Sequence, residues 1–103
     1  MYVGNDFSPI DIGEKIDLAF DFVNDLVTGE NITAVEWEIA TLAGIDPNPE
    51  THFTDIPSVS GTVVAQRLTN FTIEGRYRIL ARVTTDRGNE LSLWSHFNTY
   101  FPN

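Results

Sequence analysis

The chain has no cysteine among its 103 residues. Disulfide bridges, thiolate metal sites and a cysteine nucleophile are therefore all excluded. Small secreted domains are commonly stapled by disulfides, so the absence favours a cytosolic or virion origin. Basic residues are scarce too: six Lys and Arg stand against fifteen Asp and Glu, a net charge of −9. Such a surface repels phosphate backbones and anionic lipid, which argues against nucleic acid and membrane as partners. The charge keeps the chain dissolved, or else steers it toward a basic partner. No run of 18 apolar residues occurs, so no membrane-spanning helix is expected. Residues 1–10 hold neither a basic region nor an apolar run, so no signal peptide is expected.

Patterns that carry chemistry are missing as well. His52 and His96 are the only histidines, and neither sits in an H-x-x-x-H or H-x-H spacing. Both read as surface or interface residues. A serine nucleophile on a strained turn needs G-x-S-x-G, and Ser60-Gly61 lacks the first glycine. Neither glycine-rich phosphate motif is present. Asp17, Asp21, Glu36 and Glu38 fall on outward strand positions, where nothing desolvates them for paired-acid catalysis. Asp46, Asp55, Asp86 and Glu90 are scattered, and no D-x-D-x-D-G calcium loop exists. The sequons at Asn31 and Asn70 read as turn asparagines. The expectation is a protein that is not an enzyme and has no cofactor and no metal.

What is present is apolar alternation. Apolar residues make up 42% of the chain, with two Trp, three Tyr and seven Phe, enough for one core at this length. Residues 15–22 place Ile16, Leu18, Phe20 and Phe22 on one face of a strand. After a turn at 28–31, residues 32–41 point Val35, Trp37 and Ile39 inward. The prolines of 46–49 interrupt regular structure, and 51–56 reads as a short edge strand ending before Pro57. Residues 61–68 form another strand, with Val64 and Leu68 in the core. Tyr77, Ile79, Ala81 and Val83 alternate with Arg76, Arg78, Arg82 and Thr84 along 76–85. A tight turn at 86–89 then leads into a final strand over 90–97. Residues 7–12, with Pro9, suit an edge strand. About seven short strands with turns every ten residues or so make an all-β, immunoglobulin-like or fibronectin type III-like β-sandwich, one domain over residues 1–103.

Phe71, Gly75 and Tyr77 resemble a tyrosine corner, in which the phenol bonds back to backbone. Trp37 takes the place of the buried core tryptophan. The last strand is unusual because both its faces carry large groups. Leu91, Leu93 and Phe97 point to the core, leaving Trp94, His96, Tyr100 and Phe101 as a candidate interface.

The segments LVTGENITAVEWEI (26–39), SGTVVAQRL (60–68), EGRYRILARVTTDRG (74–88) and ELSLWSHF (90–97) extend this reading. Together they resemble small immunoglobulin-like proteins of tailed-phage and prophage structural modules, the fibre–tail adaptors and related tail and neck proteins. Phe20-Asp21, Gly29-Glu30, Ile32, Trp37, Ser60-Gly61, Gly75, Tyr77, Thr84-Thr85 and Gly88 are the matching positions, over roughly residues 12 to 97. The resemblance implies a non-enzymatic virion structural protein, assembled in the bacterial cytoplasm. Its partners would be other phage structural proteins, in a symmetric assembly of several copies. The alternative is a carbohydrate- or cell-surface-binding module that uses Trp94, Tyr2 and Tyr100.

Overall fold

The computed structural model describes residues 1–102. Alternation becomes strand in the order expected: β1 (Ile10–Asp11), β2 (Ile16–Asp21), β3 (Ile32–Ala43), β4 (Phe53–Ser60), β5 (Val63–Leu68), β6 (Gly75–Thr85) and β7 (Glu90–Tyr100). They form two sheets, ordered β1-β7-β6-β3 and β2-β5-β4. Every pairing is antiparallel except that of β1 with β7. Each sheet is apolar on one face and must cover it, so the two faces meet in one core. Leu18, Phe20, Phe22, Val64 and Leu68 come from the smaller sheet and its flank; Tyr77, Ile79, Ala81, Val83, Leu93 and Phe97 come from the larger. Phe71, Tyr77 and Phe97 pack ring to ring at centroid distances of 5.1 to 5.6 Å. Each large side chain removed from water in this way contributes about 1.5–3 kcal/mol.

Trp37 is half-buried rather than central. It stacks on Phe20 at 5.5 Å from β3, the outer strand of its sheet. Its indole Nε1 is the one buried side-chain polar atom among the described residues without a hydrogen-bond partner.

Buried polar side chains brace both ends of the sandwich. At one end the Glu30 carboxylate accepts from the Thr85 hydroxyl at 2.5 Å, the Asn89 amide at 2.8 Å and the Val27 N–H at 3.1 Å. This ties the turn before β3 to the β6–β7 hairpin, where Gly88 takes the positive φ that the turn requires. At the other end the Tyr77 hydroxyl donates to Asp46 Oδ2 at 2.7 Å. His52 Nε2 lies 2.6 Å from the same oxygen, and His52 Nδ1 lies 3.0 Å from the Thr69 carbonyl. Both partners are acceptors, so each ring nitrogen faces an oxygen. Phe71 stacks on that ring at 4.1 Å. Tyr77 therefore opens its strand as expected, but its phenol reaches a carboxylate and not the backbone.

Three further expectations change. His52 is buried, not a surface residue, because the one-turn 3₁₀ helix Pro49–His52 carries it against the rings of Phe71 and Tyr77. That helix also takes Thr51 and His52 out of the strand read over 51–56. Finally, β4 runs through Pro57 instead of stopping before it. It is an edge strand, and its ladder breaks between Thr54 and Ser58, so a missing N–H costs no ladder bond there.

Burial acts to raise the Asp46 carboxyl, but the hydrogen bonds from Tyr77 and His52 outweigh it and hold it below its ordinary value. Glu30 is held low chiefly by Thr85 and Asn89, and Asp86 by the Asn31 N–H and side chain. A depressed carboxyl contributes stability above its unfolded pKa and loses it as the pH falls through the folded one. We therefore expect chemical denaturation to show stability steady near neutrality and falling once the pH drops below about 4. Tyr77→Phe should cost about 1–2 kcal/mol at pH 7, because it leaves Asp46 one donor short in a buried site. A neutral Tyr77→Phe in the same measurement would contradict the brace.

Candidate functional site

Register along β3, β6 and β7 decides which side chains stand together on the outer face of the larger sheet. Glu38, Leu80 and Trp94 form one row across it; Ala40, Arg78 and His96 form the next. Side chains in one row lie close enough to contact one another. The chain before β1 lengthens the first row. Tyr2 forms a bridge beside Trp94, with the Trp94 N–H donating to the Met1 carbonyl and the Val3 N–H donating to the Trp94 carbonyl. Further along, the Phe7 N–H donates to the His96 carbonyl and the Ile12 N–H to that of Tyr100. β7 is therefore an inner strand whose free side is covered by residues 1–12.

Three rings gather here. Tyr2 lies 4.9 Å from Trp94 and 5.7 Å from His96, and Trp94 lies 5.4 Å from His96. Asp6 is the polar hub beside them. It accepts from the Tyr2 hydroxyl at 2.9 Å and from Arg76 at 3.1 Å, with His96 Nδ1 at 3.5 Å. The Tyr2 hydrogen bond, then that of Arg76, pulls the Asp6 carboxyl below its ordinary value. The same bond raises the Tyr2 phenol. Arg76, Arg78 and Arg82, half of the chain's six Lys and Arg, share this face of β6. Arg76 pairs with Asp6, and Arg82 with Glu38 at 3.3 Å. Arg78 has no carboxylate within ion-pair distance among the described residues.

The candidate interface residues divide accordingly. Trp94 and His96 are neighbours on the outer face, half-buried under Tyr2. Tyr100 is exposed on the same face at the far end of β7. Phe101 lies beyond the strand, exposed, with its N–H donating to the Glu74 carboxylate at 3.0 Å. Asp6 and Arg78 were not among the residues expected here, and Tyr2 was expected only as an aromatic of the carbohydrate-binding alternative. Tyr2 and Asp6 join only through a pairing that spans most of the chain, which no local pattern announces. Arg78 was legible as outward from its parity in β6.

Chemically, this surface stacks, donates hydrogen bonds and pairs charge. Among the described residues, no group of three or more His, Cys, Asp or Glu side chains comes together that could hold a metal. Trp94→Ala should cost about 1–2 kcal/mol of stability, mostly the lost Tyr2 ring contact. Phe97→Ala, three positions on but in the core, should cost about 3–5 kcal/mol. Denaturant titrations of the two variants check both values. Amide exchange should also quicken at Val3 in Trp94→Ala alone.

No curated protein matches the chain. A protein-family model does, over residues 11–93: that of the podophage GP4 fiber-tail adaptor protein gp77. The match spans β1 to the middle of β7 and leaves out the two segments, 1–10 and 94–103, whose contacts build the aromatic cluster. With most of its length matched, the chain belongs to the podophage gp77 fiber-tail adaptor family, a family of phage tail components.

Proposed function

We propose that this chain is one immunoglobulin-like sandwich acting as a non-enzymatic adaptor in the phage tail, with the outer face around Trp94 as its docking surface for another structural protein. The orders β2-β5-β4 and β7-β6-β3 correspond to the B-E-D and G-F-C strand orders of immunoglobulin sheets, which supports the fold reading. Family membership supports the structural role and the virion location. Other phage tail proteins are the partners in this reading, met by several copies in a symmetric arrangement assembled in the bacterial cytoplasm. Nucleic acid and membrane have no part in it, because the net charge of −9 repels both.

The observation that carries the docking face is the combination of Trp94, Tyr2, His96 and Leu80 with an arginine, Arg78, that no carboxylate among the described residues engages. Tryptophan, tyrosine and arginine are the residues that dominate binding energy where surfaces meet. Their grouping on one rigid sheet face supplies an aromatic anchor beside an open cation. Tyr100 and Phe101 extend the same surface past the end of β7. The carbohydrate-binding alternative needs an open ring face, and Tyr2 already lies against the indole of Trp94.

Trp94→Ala should weaken docking onto tail particles by about 2 kcal/mol or more, and Arg78→Glu should weaken it further as salt falls. A particle-incorporation assay with the two folded variants measures this. Incorporation of both at the native level would place the docking surface elsewhere.

A further inference from the structure

The opposite side of the molecule carries a feature that the docking face does not use. Between Thr54 and Ser58, β4 spends four residue steps while its partner β5 spends two, from Arg67 to Ala65. The surplus forms a bulge in which Asp55 takes φ +63°, a left-handed conformation that costs a non-glycine residue about 1 kcal/mol or more. The bulge is fastened from beneath. Gln66, only 3% exposed, has its amide nitrogen 2.9 Å from the Thr54 carbonyl, 3.3 Å from that of Asp55 and 3.0 Å from that of Arg67. It is also fastened from the side, by Arg67 to Asp55 at 3.3 Å, with Arg67 in turn gripping both oxygens of Asp17. The apex of this held bulge is Ile56, 91% exposed.

A bulge with a proline already protects an edge strand from pairing with a stray strand. That task favours a charge at the apex, and the sequence puts an isoleucine there. Rigid presentation of a bare aliphatic side chain fits an anchor that enters a socket. The same chain has a socket. A recess of about 260 Å³ opens between β2 and the segment before β1, lined by the apolar Val3, Phe7, Ala19, Phe20 and Leu93 together with Asn5, Asp6 and Asp21. At about 30 Å³ for each water-sized group, it has room for the four carbons of an isoleucine side chain. β4 and β2 are the two outer strands of the three-stranded sheet, so knob and socket occupy its opposite edges.

We propose that copies of this chain join head to tail, Ile56 of one copy entering the recess formed by Val3, Phe7, Ala19, Phe20 and Leu93 of the next. This rests on the reading of several copies in the particle and gives it a contact. The two patches differ, so the contact is heterologous: it closes into a ring or continues, and it does not stop at a symmetric pair. Two molecules of charge −9 repel, so the association strengthens as salt screens them.

The test uses sedimentation velocity on the full chain at high salt. Ile56→Asp blunts the knob at an exposed position, and Val3→Asp replaces an apolar wall of the socket with a third carboxylate. Ala19→Glu, also at an exposed position, is a second socket variant in case Val3→Asp loosens the segment before β1. Each alone should self-associate at least about thirtyfold more weakly than the native chain. Mixed one to one, a knob variant and a socket variant should form dimers and nothing larger, because one intact knob still meets one intact socket. Native self-association by Ile56→Asp, or a mixture that stays monomeric or grows past two, overturns the contact. In those cases the Trp94 docking result stands untouched. A native chain that stays monomeric at every salt and concentration overturns the several-copy reading together with the contact.

Discussion

Parity along two adjacent strands governs this molecule. In β6 the residues from Tyr77 to Thr85 at odd positions are at most 4% exposed, and the odd positions of β7 from Leu93 to Thr99 are equally enclosed. Because side chains alternate strictly, the even positions of both strands must then share the opposite face. That single division puts the rings of Tyr77 and Phe97 into the core and stations Arg76, Arg78, Trp94 and His96 outside it. A slip of one residue would exchange the two sets. The buried ring stack and the continuous ladder between β6 and β7 make such a slip prohibitive.

Apart from the indole Nε1 of Trp37, the polar side chains enclosed by the sandwich brace something. Glu30 joins a turn to a hairpin, His52 and Asp46 join the 3₁₀ segment to Tyr77, and Gln66 holds a bulge. Each of these groups has its hydrogen bonds met, so its burial costs little and fixes a loop in return. Loops fixed at both ends give a body that transmits load, which suits a component joining two parts of a particle. The acidity of the chain stays compatible with this, since the carboxylates that do structural work are the ones held ionised by their partners.

Much of this could be read from the sequence. Leu18, Phe20 and Phe22 declare their face by period two, and so do Tyr77, Ile79, Ala81 and Val83; the outward placing of Trp94 and His96 follows from the same rule. What stayed hidden depends on partners far away along the chain. Asp46 and Tyr77 lie 31 residues apart, Glu30 and Thr85 lie 55, and Asp6 and Arg76 lie 70. His52 looked like a surface residue because nothing beside it in sequence shows that Phe71 will stack on it. Pro57 looked like a strand terminator because the edge position and bulge that tolerate it are facts of tertiary structure. The aromatic cluster was half legible for this reason: Trp94 and His96 announced themselves together, while Tyr2 entered only through the carbohydrate-binding alternative.

The pairing of residues 1–12 with β7 also sets an order in time. Contacts between segments so distant in sequence close late, because the chain between them must first surrender its freedom. Trp94 gains its Tyr2 cover and Asp6 its Arg76 across that distance. The ring cluster on the outer face is thus the part of the fold that rests on the longest chain closure.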